Sequence, residues 1–563
     1  MAIHVTMTEL KHNGIKIPGP LCDEDEVAAR LHKMSCNAPY TGLPFRMLYA
    51  YARINPELEH KHNPKFQKRF FEAFVSEMPS DAGKHFPEDY QTLLDAMYQV
   101  SLQLKEEKAA YNKAHKDEIK AAKEAEKEQF GFAIVNGNKE PLGGYVIEPE
   151  AIFFGRGDSP FNGYWKYAVT PEDIEINYIG DGEAPKAPEG HHWKAVVADP
   201  DRHEIATYHI RIGTKNHTVS SRKKIQFGAT SSLKNEADKL KFDNAAKLSD
   251  CFDQIMSKAM ANLSSNNPTD AQTAALVWLI ANTGIRVGSD KEGTEWDNGT
   301  VGASTILVEN AELNGNILHL DFLGKDSVHD VRDIELDENV ARAIGSFMGG
   351  KTPKQQVFDM ANEGTVNSFL QSIMPSATAK LLRTYVANDV MQKALDKITK
   401  ELPKNASEAA LIDAFKRANL EVAKQLNHQT NVSKGYKAAV EKMTANVDAR
   451  KASLDTATLK KKAEIAKYKK MLKATEVEEL KIQLKQKIAK AEEQLQKKVK
   501  SLEAAQLRLS QKKMTKNTAL GTSLNAYISP AVVYAWAKSV NLPIEKIYNK
   551  SLMAKYAWAF EEE

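Results

Sequence analysis

Leu520-Gly521-Thr522-Ser523-Leu524-Asn525-Ala526-Tyr527-Ile528-Ser529-Pro530, near the end of the chain, sets one tyrosine among small and turn-forming residues at the start of an apolar helix. A tyrosine phenol has a pKa near ~10, so the neutral group is a poor nucleophile unless cations and hydrogen-bond donors stabilise its attack on a phosphate. Upstream lie Arg286, Lys325, Arg383 and His428, each predicted at an element end or a turn. Taken singly they are ordinary: a half-buried tyrosine, an arginine closing a helix, a solvated lysine, a capping or core histidine. Together they form a set suited to phosphoryl transfer.

Working outward, the segment between Gly435 and Gly521 contains neither glycine nor proline. Val477, Leu480, Leu484, Ile488, Ala491, Leu495, Val499, Leu502 and Leu509 recur at steps of mostly three and four, with a weaker stripe of Val440, Met443, Val447, Leu454 and Tyr468 before them. The pattern predicts an antiparallel coiled-coil hairpin that turns somewhere near Ala474 to Glu478. Lys434 to Lys516 carries about 23 Lys plus Arg against about 10 Asp plus Glu, hence roughly +13, while the remainder of a chain of net charge +3 carries roughly −10. A solvated spacer would not need that excess of lysine, whereas a polyanion partner would attract it.

Further upstream, Asn267-Pro268-Thr269-Asp270, an apolar run to Asn282 and a closing Gly284 predict a helix with Arg286 just beyond it. Thr305–Val308, Asn316–Leu323 and Val328–Leu336 read as a small antiparallel sheet, with Asn314-Gly315 as its first turn and Gly324-Lys325-Asp326-Ser327 as its second. Helices are then expected to about Leu426, with Arg383 and His428 in or after them. Gly345-Ser346-Phe347-Met348-Gly349-Gly350-Lys351-Thr352 matches a nucleotide-binding loop by letter. Its context is reversed, however, since a helical stripe leads into the glycines and Pro353 follows, so a helix-ending turn is the expectation.

The first ~220 residues read as mixed α and β. Helices are predicted over Pro64–Met78 and Glu88–Leu102, and a solvated one over Leu104–Gln129. Strands are predicted at Gly144–Ile147, Ile174–Tyr178 and Glu204–Ile212, with helical signals dominating from about Ser220.

A chain of 563 residues with 42% apolar content is expected to form roughly three or four domains with real cores. Cys22, Cys36 and Cys251 lack pairing or metal spacing, which suits a reducing intracellular compartment. No signal segment is evident, and the longest apolar run, Ala274 to Ala281, is too short to span a bilayer, so a soluble protein is expected.

Phe322-Leu323-Gly324-Lys325-Asp326-Ser327, Leu382-Arg383-Thr384-Tyr385, Asn427-His428-Gln429, Ala519-Leu520-Gly521-Thr522-Ser523 and Leu542-Pro543-Ile544-Glu545-Lys546-Ile547-Tyr548-Asn549-Lys550, in this order, resemble the eukaryotic-type DNA topoisomerases of class IB. Gly155-Arg156-Gly157 and Pro171-Glu172-Asp173-Ile174 extend the resemblance over nearly the whole chain. It implies a multidomain α+β clamp around duplex DNA: an amino-terminal DNA-binding cap (1–220), a mainly α catalytic domain with a small antiparallel sheet (221–432), a coiled-coil linker (433–514) and a small α carboxy-terminal domain (515–563). Tyr527 would attack a backbone phosphate to leave a 3′-phosphotyrosyl link; Arg286, Arg383 and His428 would hold the non-bridging oxygens, and Lys325 would protonate the leaving 5′ oxygen. Arg156, Lys291, Asp326 and Thr522 would contact DNA. The implied activity is relaxation of supercoils of either sign without ATP or an essential Mg ion. The implied partner is double-stranded DNA read with little regard to sequence, by a monomer with no membrane association. The implied setting is intracellular and DNA-associated, the nucleus for a eukaryote or the nucleoid or cytoplasm for an archaeal or viral source.

The chain departs from the family pattern at several positions. Leu524 replaces a lysine usual after Thr-Ser, and Ala526 replaces the asparagine usual before the nucleophile, so weak inhibition by camptothecin-type compounds is expected. Phe154, Tyr167 and Ala168 stand where basic residues are common, which predicts a weaker phosphate grip and a shallower salt dependence. Two other readings stay open at this point. A site-specific tyrosine recombinase uses nearly the same residues, although this chain has Lys380 where recombinases generally place a histidine. A non-catalytic DNA-binding scaffold would make the coiled coil the working part.

Overall fold

The computed structural model describes residues 6–78, 90–288, 300–403, 405–430, 432 and 435–560, with the backbone alone at 326. The chain is mixed α and β and divides into two compact units, one formed by residues 1–241 with 290–300 and the other by 242–289 with 301–563.

In the first unit, β1 (Leu10–His12) joins β2 (Phe132–Val135) and β3 (Asn138–Pro141) in a three-stranded antiparallel sheet. Between β1 and β2 run α1 (Glu24–Lys33), α2 (Leu43–Ala52), the single turn α3 (Glu59–His62), α4 (Pro64–Glu77), α5 (Gln91–Ala114) and α6 (Lys116–Phe130). Phe66, Phe70, Phe71 and Phe74 of α4 recur at helical spacing and pack against Tyr51 of α2 and Leu93 and Met97 of α5. The charged run predicted as one helix therefore continues α5, breaks at His115 and resumes as α6. A second sheet is built from β4 (Ala151–Ile152), β5 (Trp165–Lys166), β6 (Ile174–Asn177), β7 (Ala195–Val197), β8 (Glu204–Thr214) and β9 (His217–Gln226). Strand β9 corrects the helical reading from Ser220, because it pairs with β8 along its whole length and the helix α7 (Ser232–Lys247) begins only afterwards. The expected strand at Gly144–Ile147 reduces to a single bridge between Lys16 and Val146.

The second unit is organised on α9, which follows α8 (Phe252–Asn262) and spans Pro268–Thr283. Asn267 accepts from the Thr269 N–H at 3.1 Å, Pro268 opens the first turn, and Gly284 closes it in the left-handed region at φ 64°. From Leu276 to Ala281 every residue is buried, because α9 is surrounded on all sides by its own unit. Strands β10 (Ala311–Asn314), β11 (Ile317–Gly324) and β12 (Val328–Glu335) form the small antiparallel sheet, with Gly315 at φ 62° in the first turn. The predicted strand at Thr305–Val308 is not in the sheet: its ends lie in two 3₁₀ turns, Ala303–Thr305 and Val308–Asn310, and the extended pair between them makes one bridge, Leu307 to Gln356. Then follow α10 (Glu338–Met348), α11 (Glu363–Gln371), α12 (Ala379–Glu401) and α13 (Glu408–Gln425). The segment spelled like a nucleotide loop ends α10 instead of starting a helix. There the Lys351 ammonium donates to the carbonyls of Gln356 (2.9 Å) and Val357 (3.0 Å) and pairs with Asp359.

Helices α14 (Tyr436–Ala474) and α15 (Glu478–Met514) turn where expected and lie antiparallel, as the Lys498–Ser453 bond (2.8 Å) and the Arg450–Ser501 contact require. Val447, Leu484, Ile488 and Ala491 are buried between them. Val477 (60% exposed) and Leu480 lie outside the seam, so the apolar stripe overstates it at the turn. The chain ends with α16 (Leu520–Ala526), α17 (Pro530–Ser539) and α18 (Lys550–Lys555). Ile528, Val533, Trp536, Tyr548 and Tyr556 pack there with Met391, Phe415 and Val422 of α12 and α13. Among the described residues no helix is long and apolar enough to cross a membrane.

Candidate active site

Two helix ends and one short helix build the site. Gly284 ends α9 and Leu426 ends α13. Arg286 and His428 each lie two residues past those caps. A Cβ on Gly284 would meet Leu426 Cδ2 at 2.6 Å, so glycine permits the two ends to approach as well as to turn. The strand-like segment after His428 pairs with the one before α16: Ala519 N–H donates to the His428 carbonyl (2.8 Å), and Gln429 bridges Thr518. This pairing delivers α16, whose seven residues were read only as turn-forming. Ser523, wholly buried, donates to Asn419 Oδ1 (2.5 Å), and both Tyr527 N–H and Ile528 N–H donate to the Ser523 carbonyl (2.9 Å each).

Tyr527 thereby reaches Arg383 on α12. The arginine is 4% exposed and spends its fork on three acceptors: Nε to the Gly284 carbonyl (2.6 Å), Nη2 to the Leu426 carbonyl (3.2 Å) and Nη1 to Tyr527 Oη (2.8 Å). Its Cζ also lies 5.0 Å from the Tyr527 ring centroid. One side chain thus joins the two helix ends to the phenol, a geometry only a planar guanidinium can span. Arg332 on β12 adds a parallel staple one residue back, with Nη1 at 3.2 Å from the Thr283 carbonyl and 3.5 Å from that of Gln425. Asp330 holds it through two bonds of 2.8 Å.

His428 is 4% exposed, lies 5.2 Å from the Tyr527 ring centroid, and among the described residues neither ring nitrogen has a hydrogen-bond partner. With Arg286, Lys325, Arg332 and Thr522 it lines a cleft of about 100 Å³. Lys325 is exposed in the turn between β11 and β12. Asp326 is its neighbour in that turn, Arg156 is exposed in the loop after β4 of the first unit, and Lys291 lies outside the described residues.

The charges act on one another. Burial alone would raise the Tyr527 phenol, but the positive charges of Arg383, Arg286 and Lys380 and the Arg383 hydrogen bond outweigh it and hold the phenol below the usual tyrosine value. Burial, assisted by Arg286 and opposed by Tyr527, draws Arg383 down to about 10, which leaves it protonated at neutral pH. Burial first, then Arg383 and Arg286, lower His428 to about 3, so the imidazole is neutral and keeps one N–H to donate.

His428 links this arrangement to acid stability. The unfolded chain takes a proton near pH ~6.5, whereas the folded chain resists until about 3. The contribution is complete above the unfolded value and is lost at about 1.4 kcal/mol per pH unit as pH falls below it. His428→Gln is expected to flatten that acid limb in urea unfolding followed between pH 5 and 8. An unchanged slope would contradict the buried neutral state.

Sequence reasoning named Arg286, Lys325, Arg383, His428 and Tyr527; the second unit brings the two arginines and the histidine to the tyrosine, and Lys325 lines a cleft with Arg286 and His428. It missed Asn388, whose amide meets the Tyr527 backbone, and the Arg332–Asp330 pair. The i, i+2 spacing of that pair in a strand was a readable sign that both share one face.

Sequence models of eukaryotic DNA topoisomerase I match the chain in consecutive blocks. The DNA binding fragment covers residues 6–220, the catalytic core 230–458, and the C-terminal topoisomerase domain 485–563. Human DNA topoisomerase 1 is 31% identical over 548 residues, covering 93% of this chain and 69% of the human one. The mitochondrial DNA topoisomerase I of Rattus norvegicus is 29% identical over 94% of this chain and 90% of its own length. DNA topoisomerase 1 beta of Arabidopsis thaliana is 31% identical over 90% of this chain but only 53% of its own. The chain belongs to the eukaryotic DNA topoisomerase I family, the type IB DNA topoisomerases, which are isomerases.

Proposed function

We propose that the protein relaxes positive and negative DNA supercoils by transient cleavage of one strand, rotation and religation, without ATP or a metal ion. The observation that carries this reading is the 2.8 Å bond from a buried arginine to Tyr527 Oη, beside a buried histidine whose ring nitrogens have no partner among the described residues. An unpaired buried donor costs about 1–3 kcal/mol, and a phosphate oxygen is a ligand that would satisfy it.

Tyr527 Oη attacks phosphorus as its proton leaves to solvent; the bond to the 5′ oxygen breaks, and Lys325 gives that oxygen a proton. The products are a 3′-phosphotyrosyl link and a free 5′ hydroxyl. Arg286, Arg383 and neutral His428 donate to the non-bridging oxygens, where charge must be stabilised in the transition state. One phosphodiester is exchanged for another, so no high-energy cofactor is needed to reseal the strand. The free strand turns, the 5′ hydroxyl attacks phosphorus and gives its proton to Lys325, the bond to Tyr527 Oη breaks, and the released phenolate regains a proton from solvent.

On this reading residues 1–220 cap the duplex, 221–432 hold the cations, 433–514 form a basic coiled-coil linker and 515–563 carry the nucleophile, in a monomeric clamp around DNA. Thr522, exposed on the cleft, Arg156, Lys291 and Asp326 make DNA contacts in this scheme, and backbone contacts carry most of the affinity, so base preference is slight. The protein works wherever its DNA is kept, the nucleus in a eukaryotic cell. Ala526, exposed immediately before Tyr527, offers no side-chain amide to an intercalated inhibitor. Camptothecin is therefore expected to trap cleaved complexes only weakly, and Ala526→Asn to raise trapping on a labelled duplex. Potent trapping by the intact protein would contradict this.

The deciding experiment is relaxation of negatively and positively supercoiled plasmid in excess EDTA without ATP. Relaxation of both supports the proposal. Failure on both with DNA binding retained would shift the reading to a recombinase needing its own site or to a scaffold.

A further inference from the structure

Helix α12 carries a second group that touches the tyrosine segment. Five residues beyond Arg383, about one and a half turns, Asn388 donates from Nδ2 to the Tyr527 carbonyl (3.0 Å) and to the Thr384 carbonyl of its own helix (2.7 Å). Its Oδ1 accepts the Ser529 N–H at 2.6 Å. The three bonds fix which way the amide faces, because only its nitrogen can meet two carbonyls and only its oxygen can meet an N–H. The tyrosine is thus held at both ends by one helix, its phenol by Arg383 and its main chain by Asn388. Ser529 is also the residue that caps α17, and Ile528 between them is wholly buried. On the other side, the Asn525 carbonyl takes the Tyr556 hydroxyl (2.6 Å) and the Lys555 ammonium (2.7 Å). The peptide is therefore anchored at 525, 527 and 529, leaving side-chain torsions as the main freedom of Tyr527.

We propose that Asn388 is a positioning residue for the cleavage step, setting where the Tyr527 phenol starts its attack. This rests on the reading of Tyr527 as nucleophile. Misplacing a reacting group by about 1 Å can cost about 10²-fold in rate, and Asn388 is the side chain of α12 that pins the Tyr527 main chain directly.

The test is single-turnover formation of the covalent adduct on a duplex whose released 5′ fragment diffuses away, with DNA affinity and thermal melting measured on the same preparations. Asn388→Ala should slow adduct formation by about 10²-fold, with DNA affinity unchanged. Asn388→Asp keeps an acceptor for Ser529 N–H but sets a carboxylate against two carbonyl oxygens. Only when protonated can the introduced carboxyl donate, and then to one of them. Its rate, divided by that of the intact protein to remove the titration of Tyr527 and neighbouring charges, should rise as pH falls from 8 to 5. A role in stability alone would lower melting without producing that pH-dependent ratio. If the alanine variant does not fold, the ratio for the aspartate variant decides by itself. Intact rates in the variants and a flat ratio would overturn the positioning role, whereas no adduct from the intact protein would instead remove the nucleophile reading beneath it.

Discussion

Tyr527→Phe is expected to form no covalent adduct and to relax supercoiled DNA at least about 10⁴-fold more slowly than the intact protein, the scale on which removal of a nucleophile acts. The substitution deletes one atom, Oη, which accepts from Arg383 Nη1 at 2.8 Å. The ring stays, and so does its packing against His428 at 5.2 Å. The backbone bonds of Tyr527 to Ser523 and Asn388 are untouched. DNA affinity should therefore persist while chemistry stops, a separation that gel-shift and plasmid-relaxation assays on one preparation would display. Nicking of DNA at the intact rate would refute the assignment.

Arg383→Gln should produce the second largest effect, a loss of about 10²–10³-fold in the cleavage rate, comparable to removing a preorganised donor from an oxyanion site. Glutamine is neutral and cannot reach Gly284, Leu426 and Tyr527 together, so it forfeits the charge on the phosphate and part of the staple between helix ends. The pH profile carries the sign. Arg383 is the largest positive charge holding the phenol down, so its loss should move the rise of cleavage rate with pH to higher pH. Arg383 also depresses His428, which should become easier to protonate in the variant. A variant within tenfold of the intact rate and with an unmoved profile would show that Arg383 only braces the fold.

Both predictions use a contact between residues 144 apart in sequence, and that separation marks the limit of what the chain discloses on paper. Helix α9 was legible because its signals are local: Asn267 accepts a bond two residues on, Pro268 fits a first turn, and Gly284 adopts a left-handed conformation. The turn between α14 and α15 was legible for a related reason, a long run free of breakers whose apolar period shifts at Ala474 to Glu478. Strand β9 was not. Its Arg222-Lys223-Lys224 run has no apolar alternation, and it is a strand because β8 supplies its hydrogen bonds. Helix α16 contains glycine, threonine and serine, poor helix formers, and is held by the buried Ser523–Asn419 bond, which propensity cannot foresee.

The sequence by itself determined which side chains could do phosphoryl transfer, the family they belong to, and the helix caps and turns that present Arg286 and Lys325. Those follow from residue type and from backbone rules acting over a few neighbours. Only the tertiary structure decided that Arg383 would be buried and shared among two helix ends and a phenol, that His428 would be neutral, and that Asn388 would hold the tyrosine's main chain. Hydrogen bonds and charges act over a few ångströms, and the residues that come within that range are chosen by how the helices pack.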